Sequence, residues 1–332
     1  MNPTAAHRPR RAIPVLLALL VLLALTILIG LSAGSAGGGP SALLRALLQQ
    51  DEFLRDIIWR LRLPRVLLAA LLGAILSLGG MVFQALLRNP LAEPYILGIS
   101  GGSAIGAISG ILMGLARFPG VWLMGFLGSL AALGLLFLMA AGRTFSRGNT
   151  LLLSGVIVNA FCSAVIMFLI SMAQDHRLQD IVFWMMGDFS GATTDKVLLL
   201  VATALPCFAF IFARSHSLNL LTLGSEMAQS MGVHIKRTTV LLLLATSLMV
   251  SATVSYCGLV GFVGLVMPHL LRLALGPDHR LLAPAAVLGG AAFMVLCDVL
   301  ARTLPSQGEM PVGVITALIG APLFIYLLKK SN

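Results

Sequence analysis

Two residues of opposite charge stand four positions apart within a long apolar run, Asp298 and Arg302. This spacing places both side chains on one face of a helix, where they can form an ion pair. An acid near the end of a membrane helix is usually paired, so a structural pair is the first interpretation. A proton relay through Asp298 is the alternative. It lacks a second acid inside an apolar run, since Glu309 precedes the last run by about one helical turn.

Other reactive patterns are missing from the sequence. It contains no GxxxxGK[ST] phosphate loop, no HExxH and no GxSxG, and His269 has only Arg272 nearby. The cysteines are isolated within apolar runs, which is typical of small core residues and not of metal or disulfide sites: Cys162, Cys207, Cys257 and Cys297. An enzyme is therefore poorly supported. A transporter or channel remains, and any dependence on ATP has to come from another chain.

The composition is that of a polytopic membrane protein. Hydrophobic residues make up 58% of the 332 positions, charged residues only 10%, and the mean hydropathy is +1.00; soluble domains are about 25% charged. The net charge of +10 does not indicate nucleic-acid binding, because the basic residues occupy short gaps between apolar runs. The N-terminal run, which follows three arginines, is too long for a cleaved signal and is interpreted as a first span.

Windows without Asp, Glu, Lys or Arg define the candidate membrane helices. They are 12–44, 66–87, 94–116, 118–142, 148–174, 197–213, 238–271, 281–297 and 310–328. The window 238–271 is too long for one crossing, since as a helix it would measure about 51 Å against a bilayer core of about 30 Å. Its glycines and Pro268 allow a break, so we predict one helix near 238–257 and a short one near 260–272. The total becomes ten.

The distribution of charge predicts the orientation. With an even number of spans, both termini lie on one side, together with 13 of the 22 Lys and Arg residues and 3 acids. The other side carries 9 basic and 9 acidic residues. The basic side is expected to be cytoplasmic.

Two segments outside the spans have a helical pattern. Segment 34–63 begins rich in Gly and Ser and continues as an amphipathic helix that carries Trp59 and several arginines; both lipid-headgroup anchoring and docking of an acidic partner remain open. Segment 174–196 predicts a short helix around Trp184, at a pore mouth or at the membrane interface.

Small and polar residues within the spans suggest close packing and a path. Asn159 lies in the fifth span and is either a buried packing amide or a pore-lining group. Five glycines at intervals of four residues predict a groove along the third span for another helix: Gly98, Gly102, Gly106, Gly110 and Gly114.

The longest predicted cytoplasmic interruption runs from Ser215 to Thr239. It is mildly amphipathic and bracketed by Arg214 and Lys236–Arg237. We interpret it, with a core at about 215–237, as the place where a separate motor protein delivers mechanical force. Whether it forms one helix or two is open from the residues alone; Gly224, together with the family resemblance given below, predicts two short helices.

Several motifs, in order along nearly the whole chain, resemble the permease subunits of ABC importers for siderophores, haem and cobalamin. They are RLPR (62–65), GGMVFQALLRNPLAEPYILGIS (79–100), LNLLTLGSEMAQSMGV (218–233), GFVGLVMPHLLR (261–272) with DHR (278–280), and PVGVITALIGAPLFIYLL (311–328). The resemblance implies an all-α polytopic membrane protein of ten transmembrane helices with the type II ABC importer permease fold, built as one domain over residues 1–332. It does not separate the three classes of chelate.

The resemblance also implies partners and roles. A homodimer would enclose the path, two ATPase subunits would bind ATP and Mg²⁺ so that this chain needs no cofactor, and an external or periplasmic protein would deliver the substrate at the inner (plasma) membrane. ATPase coupling falls on Leu221, Leu223, Gly224, Glu226, Ala228 and Gly232. Docking of the binding protein falls on Arg62, Arg65 and Arg302. The cytoplasmic gate falls on Gly148, Asn149 and Thr150. An ion- or proton-coupled secondary carrier remains the alternative.

Overall fold

The computed structural model describes residues 8–33, 48, 52–140, 148–305 and 308–331. All regular structure in these residues is helical. The helices are α1 (Arg8–Ser32), α2 (Leu63–Leu87), α3 (Ile99–Leu112), α4 (Trp122–Ala140), α5 (Gly148–Ser171), α6 (Asp175–Met185), α7 (Thr194–Ala213), α8 (Ser215–Leu223), α9 (Ser225–Ser230), α10 (Ile235–Cys257), α11 (Val263–Leu275), α12 (His279–Thr303) and α13 (Val312–Ser331).

Ten of these helices are apolar enough to lie in a membrane. Within the described residues, seven are long enough to cross it, and α3, α11 and α13 are shorter apolar helices. Seven and three make the ten that the charge-free windows predict. Helix α2 is preceded without a break by helical residues 52–62, so the predicted amphipathic segment is helical from residue 52 onward.

Helix α2 forms the centre of the bundle. Its side chains are buried on every face, and its most extensive contact is with α12. The two backbones touch where Gly73 meets Gly290, because a Cβ on either residue would overlap the carbonyl oxygen of the other. Glycine pairs of this kind let membrane helices approach closely and gain van der Waals contact. The α2–α12 pair is therefore one tightly packed unit.

The predicted glycine groove of α3 is shorter than five residues. Gly102, Gly106 and Gly110 face α4, where the first two meet the backbone of Gly128 and Met124. Gly98 and Gly114 lie outside the helix, at its two ends, with φ of +79° and +74°. Gly98 packs on α5 instead, and the nearest atom to an added Cβ on Gly114 belongs to Arg177. These two glycines lie in turns, so the four-residue spacing of the five glycines does not place them all on one face of a helix.

The long window 238–271 is broken as predicted, between α10 and α11. Residues 258–262 are not helical, and Phe262 has a φ of +69° at the start of α11. The Tyr95 hydroxyl holds this break, since it donates to the Val260 carbonyl at 2.5 Å and accepts from the Val260 N–H at 2.8 Å. The break shortens α11 to 13 residues.

The predicted pair of short helices is also present. Helices α8 and α9 meet at Gly224, whose φ of +125° and open surroundings suit a residue without a side chain. Since α2 ends and α12 begins beside α8, these helices mark one end of the bundle, which we call the α8–α9 end. The predicted short helix in 174–196 is α6, at the opposite end.

Candidate functional site

Helices α8 and α9 present an apolar tip. Leu223, Met227 and Met231 follow one another at intervals of four residues and are 68%, 53% and 58% exposed. Of the six predicted coupling residues, Leu223, Glu226 and Gly232 are exposed and Gly224 forms the turn, whereas Leu221 and Ala228 are buried. Leu221 and Ala228 therefore anchor the two helices to the bundle. The two methionines were missed from sequence, because the break at Gly224 separates them from Leu223 and removes the meaning of a four-residue spacing.

Helix α8 is attached to the end of α2. Arg88, the residue after α2, donates from Nε to the Leu221 carbonyl at 3.0 Å. This places a positive charge at the C-terminal end of α8, where unpaired carbonyls favour a cation. No sequence pattern indicates this contact, since the two residues lie 133 positions apart.

Helix α8 is attached to the start of α12 through Asn219. Its Nδ2 donates to Oδ1 of Asp278 at 2.7 Å, and its Oδ1 accepts from the His279 backbone N–H at 2.8 Å. Asp278 also accepts from the Arg280 backbone N–H at 3.0 Å, and so caps α12. Partial burial opposes ionisation of Asp278, but the hydrogen bonds from Asn219 and Arg280 lower its pKa below the ordinary value.

At the opposite end, a charged cluster joins α2 and α12. Asp298 is fully buried and accepts from Nε of Arg65 at 2.9 Å, while Nε of Arg302 lies 3.0 Å from its second carboxylate oxygen. Arg65 also pairs with Glu309 at 2.5 Å. The predicted Asp298–Arg302 pair is therefore present, within a larger cluster that includes Arg65.

Two arginines of this region bind the C-terminal carbonyls of α1. Arg62 donates to Leu31 O at 3.0 Å, and Arg302 donates to Ala33 O at 3.1 Å and Gly30 O at 3.2 Å. Both residues are only 6% exposed. The docking role expected of Arg62, Arg65 and Arg302 stays a prediction. Arg62 and Arg302 face inward, and Arg65 lies at the rim beside Glu309.

A second charged group lies near α6. Arg117 pairs with Asp188 at 2.9 Å and Asp180 at 3.3 Å, beside a cavity of about 290 Å³. Burial raises the pKa of Asp188, but hydrogen bonds from Ser190 and the charge of Arg117 outweigh it, so that the pKa lies below its ordinary value. The Lys196 ammonium sits 5.0 Å from the centre of the Tyr256 ring. These contacts fix the loop after α6.

The candidate path residues lie on α5. Gly148, Asn149 and Thr150 form its first turn, and their side chains lie outside the described part of the structure. Asn159 is exposed, although its amide oxygen lies beside Gly101 of α3, whereas its neighbours Val158 and Cys162 are buried. Both interpretations of Asn159, a packing amide and a pore-lining group, stay predictions. No group of three or more potential metal ligands occurs among the described residues, and the four cysteines are buried and free.

Known proteins are similar to this chain along nearly all of its length. Residues 22–330 match the model of the FecCD transport family. The chain belongs to this family. It is 39% identical to the vitamin B12 import system permease protein BtuC of Salmonella typhi over 98% of both chains. It is 40% identical to the protein of the same name from Klebsiella pneumoniae, over 99% of this chain and 98% of that one.

Solved structures agree with the assignment of the chain to the FecCD family. A metal-chelate type ABC transporter in an inward-facing conformation matches this FecCD chain with a TM-score of 0.87 and 34% identity, over 96% of this chain and 99% of the other. PsaBC from Streptococcus pneumoniae, solved with a Fab, matches with a TM-score of 0.55 at 16% identity, which is a likeness of fold alone. The FecCD chain is thus a membrane-spanning transport subunit with the permease fold of ABC importers.

Proposed function

We propose that this FecCD chain is the permease subunit of an importer that carries a metal chelate (a ferric siderophore, haem or cobalamin) into the cytoplasm, driven by a separate ATPase. The observation that carries the proposal is the anchored pair α8–α9, which presents Leu223, Met227 and Met231 outside the membrane helices. An exposed apolar tip on a fixed base is suited to insertion into a pocket of another protein. ATP and Mg²⁺ would be held by that partner.

The test of ATPase coupling is a substitution at the tip. In proteoliposomes with the cognate ATPase, Leu223→Asp and Met227→Asp should each abolish most of the stimulation of ATP hydrolysis by the permease. The matched control is Leu304→Asp, which charges an apolar residue that is 62% exposed at the opposite end. Full stimulation with both tip variants would refute coupling through α8–α9.

Docking of a substrate-binding protein is proposed for the opposite end, near the arginine cluster. Glu309, the partner of Arg65, is 40% exposed in its side chain, so an acidic residue of an incoming protein could replace it on Arg65. Arg62 and Arg302 would support this site by holding the end of α1. Arg65→Glu should then weaken capture of the binding protein more than Arg60→Glu, since Arg60 belongs to an exposed pair with Asp56.

Orientation and assembly complete the proposal. The charge distribution supports cytoplasmic termini in the inner (plasma) membrane, with α8–α9 on the same side. Two copies would enclose a path lined by the exposed face of α5, including Asn159. Because the four native cysteines are buried, Glu226→Cys and Asp180→Cys offer a direct test. An impermeant maleimide added to intact spheroplasts should label only Asp180→Cys, and labelling of only Glu226→Cys would reverse the orientation.

The chelate is to be identified by uptake. Cobalamin is the first substrate to test, since the relatives named above import vitamin B12. Proteoliposomes that hold the complete importer should accumulate one of labelled cobalamin, haem or ferric siderophore in an ATP-dependent manner. Accumulation that follows an ion gradient without ATP would favour the secondary carrier instead.

A further inference from the structure

Helix α8 is joined by its chain to α7, but its side-chain contacts lead elsewhere. It packs more extensively against α2 and α12 than against α7. Leu218 and Leu221 are buried in the same apolar core as α2 and α12 residues. The polar contacts repeat this pattern, since Arg88 follows α2 and Asp278 and His279 begin α12.

Asn219 makes a contact in which both ends of its amide are used. The amide oxygen accepts from the His279 N–H and also lies 2.7 Å from His279 Nδ1, while the amide nitrogen donates to Asp278. The opposite amide orientation would place a donor against the His279 N–H, so the network fixes the assignment. His279 is 2% exposed, which removes water as an easy substitute for these bonds.

The two helices that α8 contacts are themselves locked together. Gly73 of α2 and Gly290 of α12 meet backbone to backbone near the middle of the bundle, and Asp298 with Arg65 joins the same helices at the far end. A displacement at α8 therefore acts on a stiff pair of long helices. The links to α7 and α10 pass instead through short turns at Arg214 and at residues 231–234.

We propose that Asn219, with Asp278 and His279, is the joint that passes movement of α8 to the α2–α12 pair. This inference rests on the proposed function, because it takes the ATPase as the source of the movement. Asn219 is a positioning residue, since its side chain acts through Asp278 and His279 of α12. Hydrogen bonds at a helix start and to a charged group resist sliding of one helix along another, and so they suit transmission of force.

The discriminating variant is Asn219→Asp, which replaces the amide NH₂ of the side chain with an oxygen. It keeps an acceptor for the His279 N–H but replaces the donor to Asp278 with a carboxylate oxygen, so that two negative charges face each other. Asn89→Asp is the matched control. It adds the same charge at the same end, and its one side-chain bond, from the Leu91 N–H at 2.9 Å, needs only an acceptor.

The assay uses the complete importer in proteoliposomes and measures ATP hydrolysis and substrate uptake in parallel. Asn219→Asp should still bind the ATPase and stimulate hydrolysis, but the ATP consumed per substrate should rise about 5-fold or more, the lower range of coupling between linked sites. The control should leave the ratio at the wild-type value.

Other outcomes would refute this role of Asn219. An unchanged ratio with Asn219→Asp means that α8 transmits movement without this contact. A parallel loss of ATPase binding and uptake means that Asn219 only shapes the docking surface. Failure of the wild-type chain to stimulate the ATPase would refute the proposed function itself, and it is measured separately.

Discussion

Asp298 is the residue at which a structural and a proton-carrying role give opposite results. Its carboxylate is fully buried and bound by Arg65 at 2.9 Å and Arg302 at 3.0 Å. This carboxylate is the shared counter-ion of two guanidinium groups, which is a structural role. Asp298→Asn removes the charge with little change of shape, and it therefore separates the two roles.

The expected loss of stability in Asp298→Asn follows from the two arginines that lose their shared counter-ion. The variant leaves two arginine side chains, 5% and 12% exposed, with Glu309 as their remaining counter-ion in this cluster. Removing one partner of a buried ion pair costs about 3–5 kcal/mol. For 332 residues, an unfolding entropy of about 2.1 cal/mol/K per residue gives about 0.7 kcal/mol per degree, so Tm should fall by about 4–7 °C.

The assay measures thermal unfolding of the purified permease and ATP-driven uptake per folded protein. Asp298→Asn should lower Tm while the uptake rate at a permissive temperature stays within about 2-fold of wild type, since ATP drives transport. Asp56→Asn is the control, because Asp56 pairs with Arg60 on the surface and an exposed pair contributes about 0–1 kcal/mol. An unchanged Tm would refute the energetic argument. Loss of uptake in fully folded protein would revive the secondary carrier.

Two further predictions concern a buried acid and a helix contact. Burial raises the pKa of Glu93 to about 7, against an opposing hydrogen bond from the Phe262 N–H. The folded protein therefore holds a proton that the unfolded chain releases above its ordinary pKa of 4.5. Stability should fall by up to about 3 kcal/mol from pH 5 to 8, and this fall is measured as the change of Tm with pH. Glu93→Gln should remove the slope. Parallel curves of Tm against pH for the variant and the wild type would contradict the prediction. Gly290→Ala should cost about 1–3 kcal/mol or more, because the added Cβ clashes with the Gly73 carbonyl, and Tm should fall. Gly134→Ala has open space around it, so it should leave Tm unchanged or slightly higher, since Ala favours a helix more than Gly does.

The division into helices could be predicted because it depends on local quantities. A charge-free run has a length, and the bilayer has a thickness, so the ten helices and the break between α10 and α11 follow from counting residues. Gly224 could likewise be predicted to separate α8 from α9, since a glycine between two short helical patterns interrupts both.

Contacts between distant residues could not be predicted in this way. Spacing indicates that Asp298 faces Arg302, but Arg65 is 233 positions from Asp298 and nothing in its surroundings marks it as a partner. The same holds for Asn219 and Asp278, which lie 59 positions apart. The arginines near α1 illustrate the consequence. Their predicted place on the outer side gave no sign that the end of α1 supplies carbonyls to Arg62 and Arg302.

The contacts at the two ends of α2 and α12 restrict how this fold can move. One end is held by Asp298, the middle by Gly73 and Gly290, and the other end by α8 through Arg88 and Asn219. A pair fixed at three levels moves as one body. Helix α5 is different, because one narrow face packs on the bundle and the rest is exposed. Opening of a path along α5 is therefore expected from motion of the α2–α12 pair relative to α5, without bending of either helix in the pair.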